Sequence, residues 1–402
     1  MKIVIIAAMF PPAGLGGAED CARSFAQWAA TNGHEVAVVM AAADRHAAPV
    51  FHDGKIVVHQ VQTEHVYPVA RRRDEAKWKK PVWYLQDHVD GRTAAKVAAI
   101  ASGERPDVVM VHYLQGFGYR TISALARLEV PIAMVLHDLG LVCWRMGMFR
   151  GDTACGSPCA SCKLSTSWKR RLFERAANHA PIGLISPSHA NLAMIGRYFP
   201  IERFPHATIL NTKTYPIAQH EPSDGSTLRL LYAGKLDPAK GIDRLMQAVA
   251  TLPPHVRVTL DVAGSGSLRD SLRLRHTDEP RITFLGFVSQ EELAQAMARS
   301  NLLCVPSVWP ENSPGVVVQA ILNGLPVVAT GNGGLPELVR DGIDGRILPD
   351  DSVAAWSNAL LDLASRPDAV NAWRERLADV QPRFAIDAIG EQTVTFLASL
   401  RR

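Results

Sequence analysis

The sequence predicts an α/β protein of two domains, each built on a parallel sheet covered by helices on both faces. Three observations lead there. Short apolar runs alternate with longer helix-like segments along nearly the whole chain, which is the pattern of repeated strand-helix-strand units. The alternation lapses once, in a Pro-, Asn-, Thr- and Ser-rich stretch over residues 205–226, and then restarts, as a linker between domains would make it do. The composition, 47% hydrophobic and 20% charged over 402 residues, is that of an ordinary globular chain long enough for about two or three domains.

In the first half, residues 3–9, 35–40, 57–61, 107–112, 131–136 and 183–186 read as strands, because each is a short apolar run bounded by polar or turn residues. Residues 18–31, 91–102, 119–128 and 189–198 have helical length and mixed polarity. After the linker, residues 228–233, 256–263, 281–285, 302–306, 326–330 and 345–348 read as strands, with helices over 243–250, 268–274, 290–299, 315–323 and 336–339. A last helix, about 386–400, has no strand after it and is expected to cross back to the first domain. We assign 1–210 with 384–402 to an N-terminal domain and 211–383 to a C-terminal one. Ligands bind beyond the carboxyl ends of such strands, so two facing domains of this kind imply a ligand cleft between them.

The charge balance removes several functions. Lys and Arg exceed Asp and Glu by 43 to 39, too small an excess for a dedicated nucleic-acid binder. The longest apolar runs, residues 3–10 and 36–43, fall well short of the ~20 residues of a membrane span. The first run meets Pro11-Pro12 and a glycine-rich turn where a signal cleavage site would stand. We read it as a buried strand and expect a cytoplasmic protein, in which the six cysteines are reduced thiols or metal ligands.

Nucleotide signatures fail one by one. The third glycine of G-x-G-x-x-G would fall at Glu19 after Gly14-Leu15-Gly16, and at Arg269 after Gly264-Ser265-Gly266. Gly234-Lys235 is followed by Leu236 and makes no P-loop; there is no G-x-S-x-G elbow. What remains is a carboxylate, Glu311, in the loop between a strand ending at Pro306 and a helix starting near Gly315. Helix N-terminal amides and a carboxylate then face one place, which suits an anionic ligand bearing hydroxyls. Lys235 and Lys240 flank a proline turn at another strand-to-helix junction, five residues apart, where both can reach one phosphate.

The ordered set of these segments resembles the retaining nucleotide-sugar glycosyltransferases of family 4, which have the GT-B fold of two Rossmann-like parallel-sheet domains facing across a cleft. Pro11 to Glu19 is similar to the family's P-x-GG-x-E opening, and Gly33-His34-Glu35-Val36 to its turn into the second strand. Val109 to His112 and Leu136-His137-Asp138 match two histidine positions at strand ends. Residues 262–266, 284–288 and 306–338 follow in family order.

The resemblance implies the site. Lys235 and Lys240 would bind the donor diphosphate, and Glu311 would contact the transferred sugar and stabilise charge at the reacting carbon. Asn312, Ser313, Gly315 and Val316 would line the sugar and phosphate pocket. Gly16 and Gly17 would let the first-domain loop approach the phosphates, and His112 would lie beside the sugar's outer hydroxyls or the acceptor. The family's second carboxylate, which holds the ribose, is here Gln319. An amide accepts hydrogen bonds without charge, which lowers donor affinity by ~1 kcal/mol.

Two features stand outside that pattern. Cys143, Cys155, Cys159 and Cys162 are either ligands of a structural zinc stapling a poorly structured insert over 139–163 or ordinary reduced thiols. The runs Arg71 to Lys80 and Trp168 to Phe173 are basic and aromatic, and read either as solvated helix faces or as contacts to the inner face of a membrane.

The reading is a cytoplasmic enzyme, with or without peripheral membrane contact. It would move a sugar from a nucleotide-sugar donor to a glycan or lipid-linked acceptor in cell-surface polysaccharide or glycoconjugate synthesis, without a metal or other cofactor. The alternatives are a catalytically weakened protein of the same fold serving as a binding or scaffold subunit, and a UDP-sugar epimerase.

Overall fold

The computed structural model describes the chain except for residues 13–15, 45, 73, 151–152, 222–224 and 402. Ala13, Gly14 and Leu15 of the opening motif, Arg73 of the first basic run and Pro222 of the linker lie outside the described residues. The chain divides into two compact units. Residues 1–148, 156–213 and 386–402 form the first, and residues 149–155 and 214–385 the second.

The first unit carries strands β1 (Lys2–Ala7), β2 (Glu35–Ala41), β3 (Val50–Asp53), β4 (Ile56–Val61), β5 (Val108–Tyr113) and β6 (Ile132–Val135). Two-residue strands β7 (Phe149–Arg150) and β8 (Thr153–Ala154) pair with each other in the segment that groups with the second unit. Strands β9 (Ile182–Ser186) and β10 (His206–Thr208) complete the first sheet, whose order is β10-β9-β6-β5-β1-β2-β4-β3. All neighbours are parallel except β3, which runs antiparallel to β4. The second unit holds β11 (Leu228–Ala233), β12 (Val258–Ala263), β13 (Ile282–Gly286), β14 (Leu302–Val305), β15 (Val327–Thr330) and β16 (Gly345–Leu348), all parallel, in the order β13-β12-β11-β14-β15-β16.

Helices of the first unit are α1 (Gly17–Thr31), α2 (Lys80–Val89), α3 (Gly91–Gly103), α4 (Arg120–Ala126), α5 (Ala160–Ala176) and α6 (His189–Gly196). The second has α7 (Ile242–Thr251), α8 (Arg269–Arg275), α9 (Gln290–Arg299), α10 (Gly315–Leu322), α11 (Leu335–Leu338), α12 (Val353–Ala364) and α13 (Pro367–Leu377). The chain then returns to the first unit as α14 (Ile386–Ser399). Local chemistry sets several of the starts. Asp90 caps α3, Ser352 caps α12, and Ser289 with Glu292 forms a reciprocal capping box on α9.

The structure departs from the sequence reading in four places. The expected linker begins too early: His206–Thr208 is the edge strand β10, paired with β9. Its short, polar run behind Pro205 carries no strand signal, and backbone pairing supplies what composition does not. β3 adds an antiparallel edge that was not anticipated. The segment over 139–163 expected to be poorly structured ends in the regular helix α5, whose buried Cys162, Thr166, Lys169 and Phe173 recur at the spacing of one helical face. Helices α2, α12 and α13 were not anticipated either; Trp356, Leu360 and Leu363 bury α12 in the second core.

α14 joins the first core through Ile389, Leu397 and Leu400. The Trp28 indole N–H donates to Asp387 Oδ1 at 2.7 Å, and a Cβ on Gly390 would lie 2.4 Å from the Trp28 ring. Glycine is what lets the two helices meet. Gly390→Val is therefore expected to lower stability by about 2 kcal/mol through overpacking, measured as a lower urea midpoint; an unchanged midpoint would show that α14 does not dock on α1.

Candidate functional site

In the second unit, the turn between β11 and α7 and the loop after β14 are tied together by backbone. Val308 and Trp309 N–H both donate to the Ala239 carbonyl, at 3.0 and 3.1 Å. Gly241 has φ +65°, and a Cβ there would sit 1.9 Å from the Pro306 carbonyl oxygen. This approach brings Lys240 Nζ to Glu311 Oε1 at 2.6 Å. The same oxygen accepts from the buried Ser307 hydroxyl at 2.6 Å. Thr330 Oγ1 and Asn332 Nδ2 both hold the Ser307 carbonyl at 2.7 Å, and Gly334 N–H holds the Glu311 carbonyl at 2.7 Å. Glu311 is 7% exposed, so a nearly buried carboxylate is fixed from both sides.

Lys235, five residues before Lys240 in the chain, is exposed, and the Tyr232 hydroxyl holds its carbonyl at 2.6 Å. Between the lysines stands Asp237. Burial alone raises its carboxyl pKa, but hydrogen bonds from Ser267 N–H and Oγ, with Lys235 and Lys240, bring it below the ordinary value. The Gly264-Ser265-Gly266 turn serves as a brace here: Gly234 N–H donates to Ala263, and Leu236 N–H to Ser265, both at 3.0 Å.

Gly315 opens α10, an eight-residue helix with no side-chain cap at Pro314. The first-turn N–H groups of Gly315 and Val316 precede the intrahelical ladder. Asn312, Ser313, Gly315 and Val316 are half-buried along this entry. Gln319 is 1% exposed; its Nε2 faces the Gln290 carbonyl at 3.4 Å, and its own carbonyl accepts from Asn323.

The first unit has its own pocket, at the carboxyl ends of β5 and β6. His112, Tyr119, His137, Asp138, Trp144 and Lys169 are among its lining residues. His112 Nδ1 lies 3.0 Å from His137 Nε2. The other ring nitrogen of His112, Nε2, is buried without a hydrogen-bond partner, in a residue 5% exposed. Asp138 accepts from Gly140 N–H at 2.6 Å, and burial raises its carboxyl to about 6. Lys169 is 2% exposed, donates to the Gly140 carbonyl at 2.5 Å and stands 4.5 Å from the Tyr119 ring centroid; burial lowers its ammonium to about 8.

Lys169 corrects one expectation. The run Trp168 to Phe173 is not a solvated or membrane-facing patch as a whole, because Lys169 and Phe173 are buried and Trp168 stacks on His88 at 5.4 Å. The signal was present in the spacing of Cys162, Thr166, Lys169 and Phe173, but the basic composition concealed it. Ser307 was missed too, and no sequence pattern marks it. Trp78, in the other basic run, is 74% exposed.

Gly16 is the extended N-cap of α1, and Gly17 begins the helix. The carboxylate of Glu19 folds back over Gly16, close enough that a Cβ there would meet it at 2.4 Å. Of the four cysteines, Cys143 and Cys162 bring their sulfurs within 3.7 Å while Cys159 is exposed. Among the described residues, no group of three or more His, Cys, Asp or Glu is placed to hold a metal ion. No helix among them is long and apolar enough to cross a membrane.

Comparison with known proteins supplies the family. Residues 227–366 match the model of glycosyl transferases group 1, and residues 16–200 that of the glycosyl transferase 4-like domain. The chain is 32% identical over 166 residues to the D-inositol 3-phosphate glycosyltransferase of Mycolicibacterium smegmatis, covering 39% of this chain and 38% of that protein. It is 36% identical over 157 residues to the protein of the same name from Mycobacterium leprae, covering 37% and 36%. The matches thus span about two fifths of the length of these curated relatives. In fold, the chain is similar to Anabaena HepE in complex with UDP and glucose, with a TM-score of 0.67 at 22% identity over 99% of this chain and 100% of that one. Sucrose-phosphate synthase from Thermosynechococcus elongatus gives 0.74 at 19% identity, covering 99% and 98%. The fold is that of the GT-B glycosyltransferases.

The histidine pair makes stability depend on pH. Burial lowers His137 from 6.5 to about 4, and burial with His137 alongside holds His112 well below 6.5. Between those values the unfolded chain binds more protons than the native one, so stability rises with pH through the window and is fully present above about 6.5. Asp138 acts oppositely between about 4 and 6, since the native state keeps a proton that the unfolded chain releases. His137→Gln is expected to remove up to about 3 kcal/mol of the rise between pH 4 and 7, read from urea denaturation at both values; a wild-type pH dependence would show that His137 is not held neutral.

Proposed function

The chain belongs to the group 1 glycosyltransferases of family 4, and we propose that it moves a sugar from a nucleotide-diphosphate donor to an acceptor hydroxyl with retention of configuration. The observation that carries this reading is the Lys240–Glu311–Ser307 array beside the start of α10. A cation suited to phosphate and a carboxylate suited to developing positive charge stand 2.6 Å apart there, which supports the reading.

In the proposed reaction the bond from the anomeric carbon to the donor phosphate breaks, and its electron pair leaves with the diphosphate. Lys240, Lys235 and the amides of Asn312, Ser313, Gly315 and Val316 offset that charge. Glu311 stabilises the oxocarbenium-like centre. The acceptor oxygen attacks from the face the phosphate leaves, and its proton passes to a departing phosphate oxygen. Gln319 takes the ribose side. Gly16 and Gly17, at the start of α1, would contact the donor phosphates, and His112, with Nε2 unpartnered, takes a hydroxyl of the sugar or acceptor.

Structures of HepE with UDP and glucose, at the same fold, support a nucleotide-sugar donor. For the acceptor we propose a glycan or lipid-linked saccharide of cell-surface or glycoconjugate synthesis. The curated relatives are named for D-inositol 3-phosphate, so a soluble polyol phosphate belongs in the same assay as the competing acceptor. Gln319 favours one second reading, a weakened enzyme acting as a binding subunit.

Thermal shift against UDP-, GDP- and ADP-sugars separates the two readings from a protein that binds no donor; turnover with either acceptor separates enzyme from binding subunit. Lys240→Ala is expected to lower turnover about 10²–10³-fold, and unchanged turnover would end the diphosphate assignment. Gln319→Glu sets a carboxylate against the Gln290 carbonyl, so the free protein should melt lower while donor binding tightens by about 1 kcal/mol. Equal donor affinity in both proteins would remove Gln319 from the ribose site.

A further inference from the structure

Three thiols in the first unit range from exposed to buried. Cys159 is exposed and is the N-cap residue of α5, with Ser161 Oγ 3.2 Å from its sulfur. Cys162 stands one turn into the same helix, 4% exposed, and its sulfur is 3.7 Å from that of Cys143, also 4% exposed. The first two form a C-x-x-C at a helix start, where amides and the helix dipole favour a thiolate at the outer position. Cys162 and Cys143 are shielded from solvent.

The face of α5 that carries Cys162 is bonded to the loop carrying Cys143 at three successive levels. Cys162 meets Cys143, Thr166 Oγ1 donates to the Val142 carbonyl at 3.2 Å, and Lys169 Nζ donates to the Gly140 carbonyl at 2.5 Å. Gly140, Cys143 and Lys169 also line the pocket that contains His112 and His137. A disulfide that engages Cys143 is therefore made in the pocket wall.

We propose that Cys159, Cys162 and Cys143 form a thiol–disulfide exchange site for a low-molecular-weight disulfide, with Cys159 as the entry thiol and a Cys143–Cys162 disulfide as the oxidised product. Cys159 loses its proton to solvent and attacks one sulfur of the disulfide; one small thiolate leaves and is protonated, and a mixed disulfide remains on Cys159. Cys162, deprotonated in turn, attacks the Cys159 sulfur and releases the second small thiol. Cys143 then attacks Cys162, and Cys159 leaves as a thiolate that recovers a proton. In sum, two protein thiols are oxidised to one disulfide and the small disulfide is reduced to two thiols. The new bond is shorter than the 3.7 Å contact it replaces and draws the 140–143 loop toward α5.

The test treats the full chain with oxidised glutathione, blocks remaining thiols and maps the products by mass spectrometry. Wild type should show a Cys143–Cys162 disulfide with Cys159 free. Cys162→Ser should accumulate glutathione on Cys159 about tenfold above wild type, because the resolving thiol is gone. Cys159→Ser should slow formation of the inner disulfide about tenfold, and Cys143→Ser, which leaves the C-x-x-C intact, should stop at Cys159–Cys162. Reduced variants are first compared with wild type by thermal melting, and those that melt like wild type carry the result. The proposal is overturned if wild type forms no intramolecular disulfide, if its disulfide stays at Cys159–Cys162, or if Cys162→Ser captures no more glutathione than wild type. Release of zinc from the purified protein on thiol modification would also overturn it, since the sulfurs would then be metal ligands.

Discussion

Parallel strands buried on both faces leave almost no place for polar chemistry inside the sheets, and the rest of this structure follows from that constraint. Residues Ile3 to Ala7 of β1 and Leu302 to Val305 of β14 are wholly buried, and hydrophobic burial is what stabilises each sheet. Functional side chains are displaced to the carboxyl ends, where the chain leaves a strand for a helix. His112 is the penultimate residue of β5 and His137 follows β6; Lys235 follows β11; Ser307 and Glu311 follow β14; Asn332 follows β15. Because parallel neighbours all end on one side, residues distant in sequence are delivered to the same edge without any local signal of their proximity.

Within that frame, backbone approach does the fine positioning. Lys240 reaches Glu311 because the turn at Gly241 packs directly on the Pro306 carbonyl and because Val308 and Trp309 donate to Ala239. Ser307 is in turn held through its carbonyl by Thr330 and Asn332. The side chains are thus set by a mesh of main-chain bonds, and preorganised groups of this kind act on charge without first having to reorder. The first unit achieves a similar result by different means. There burial holds two stacked histidines neutral, while Asp138 and Lys169 are retained beside them by hydrogen bonds to Gly140.

Most regular elements were legible in the sequence because strand and helix have different periods and both sheets are rich in Val, Ile and Leu. What escaped had a physical reason in each case. β10 is an edge strand made by pairing with β9, not by its own residues. α5 begins among cysteines and basic residues, and only its buried stripe identifies it. The lysines and Glu311 were legible as types at strand-to-helix junctions, yet the 2.6 Å contact of Lys240 with Glu311 was not, since seventy-one positions separate those two. Lys169 looked like part of a charged surface until its partners Gly140 and Tyr119 were in place.

By itself the sequence determined the α/β class, the two-sheet organisation and the order of motifs that marks the family, because each depends on local periodicity or on short spacings. The tertiary structure alone decided which charges pair, whether the buried Nε2 of His112 finds a partner and which cysteines touch. Those outcomes depend on contacts closed across loops of tens of residues, and on burial, which changes the cost of a charge more than the identity of the residue does.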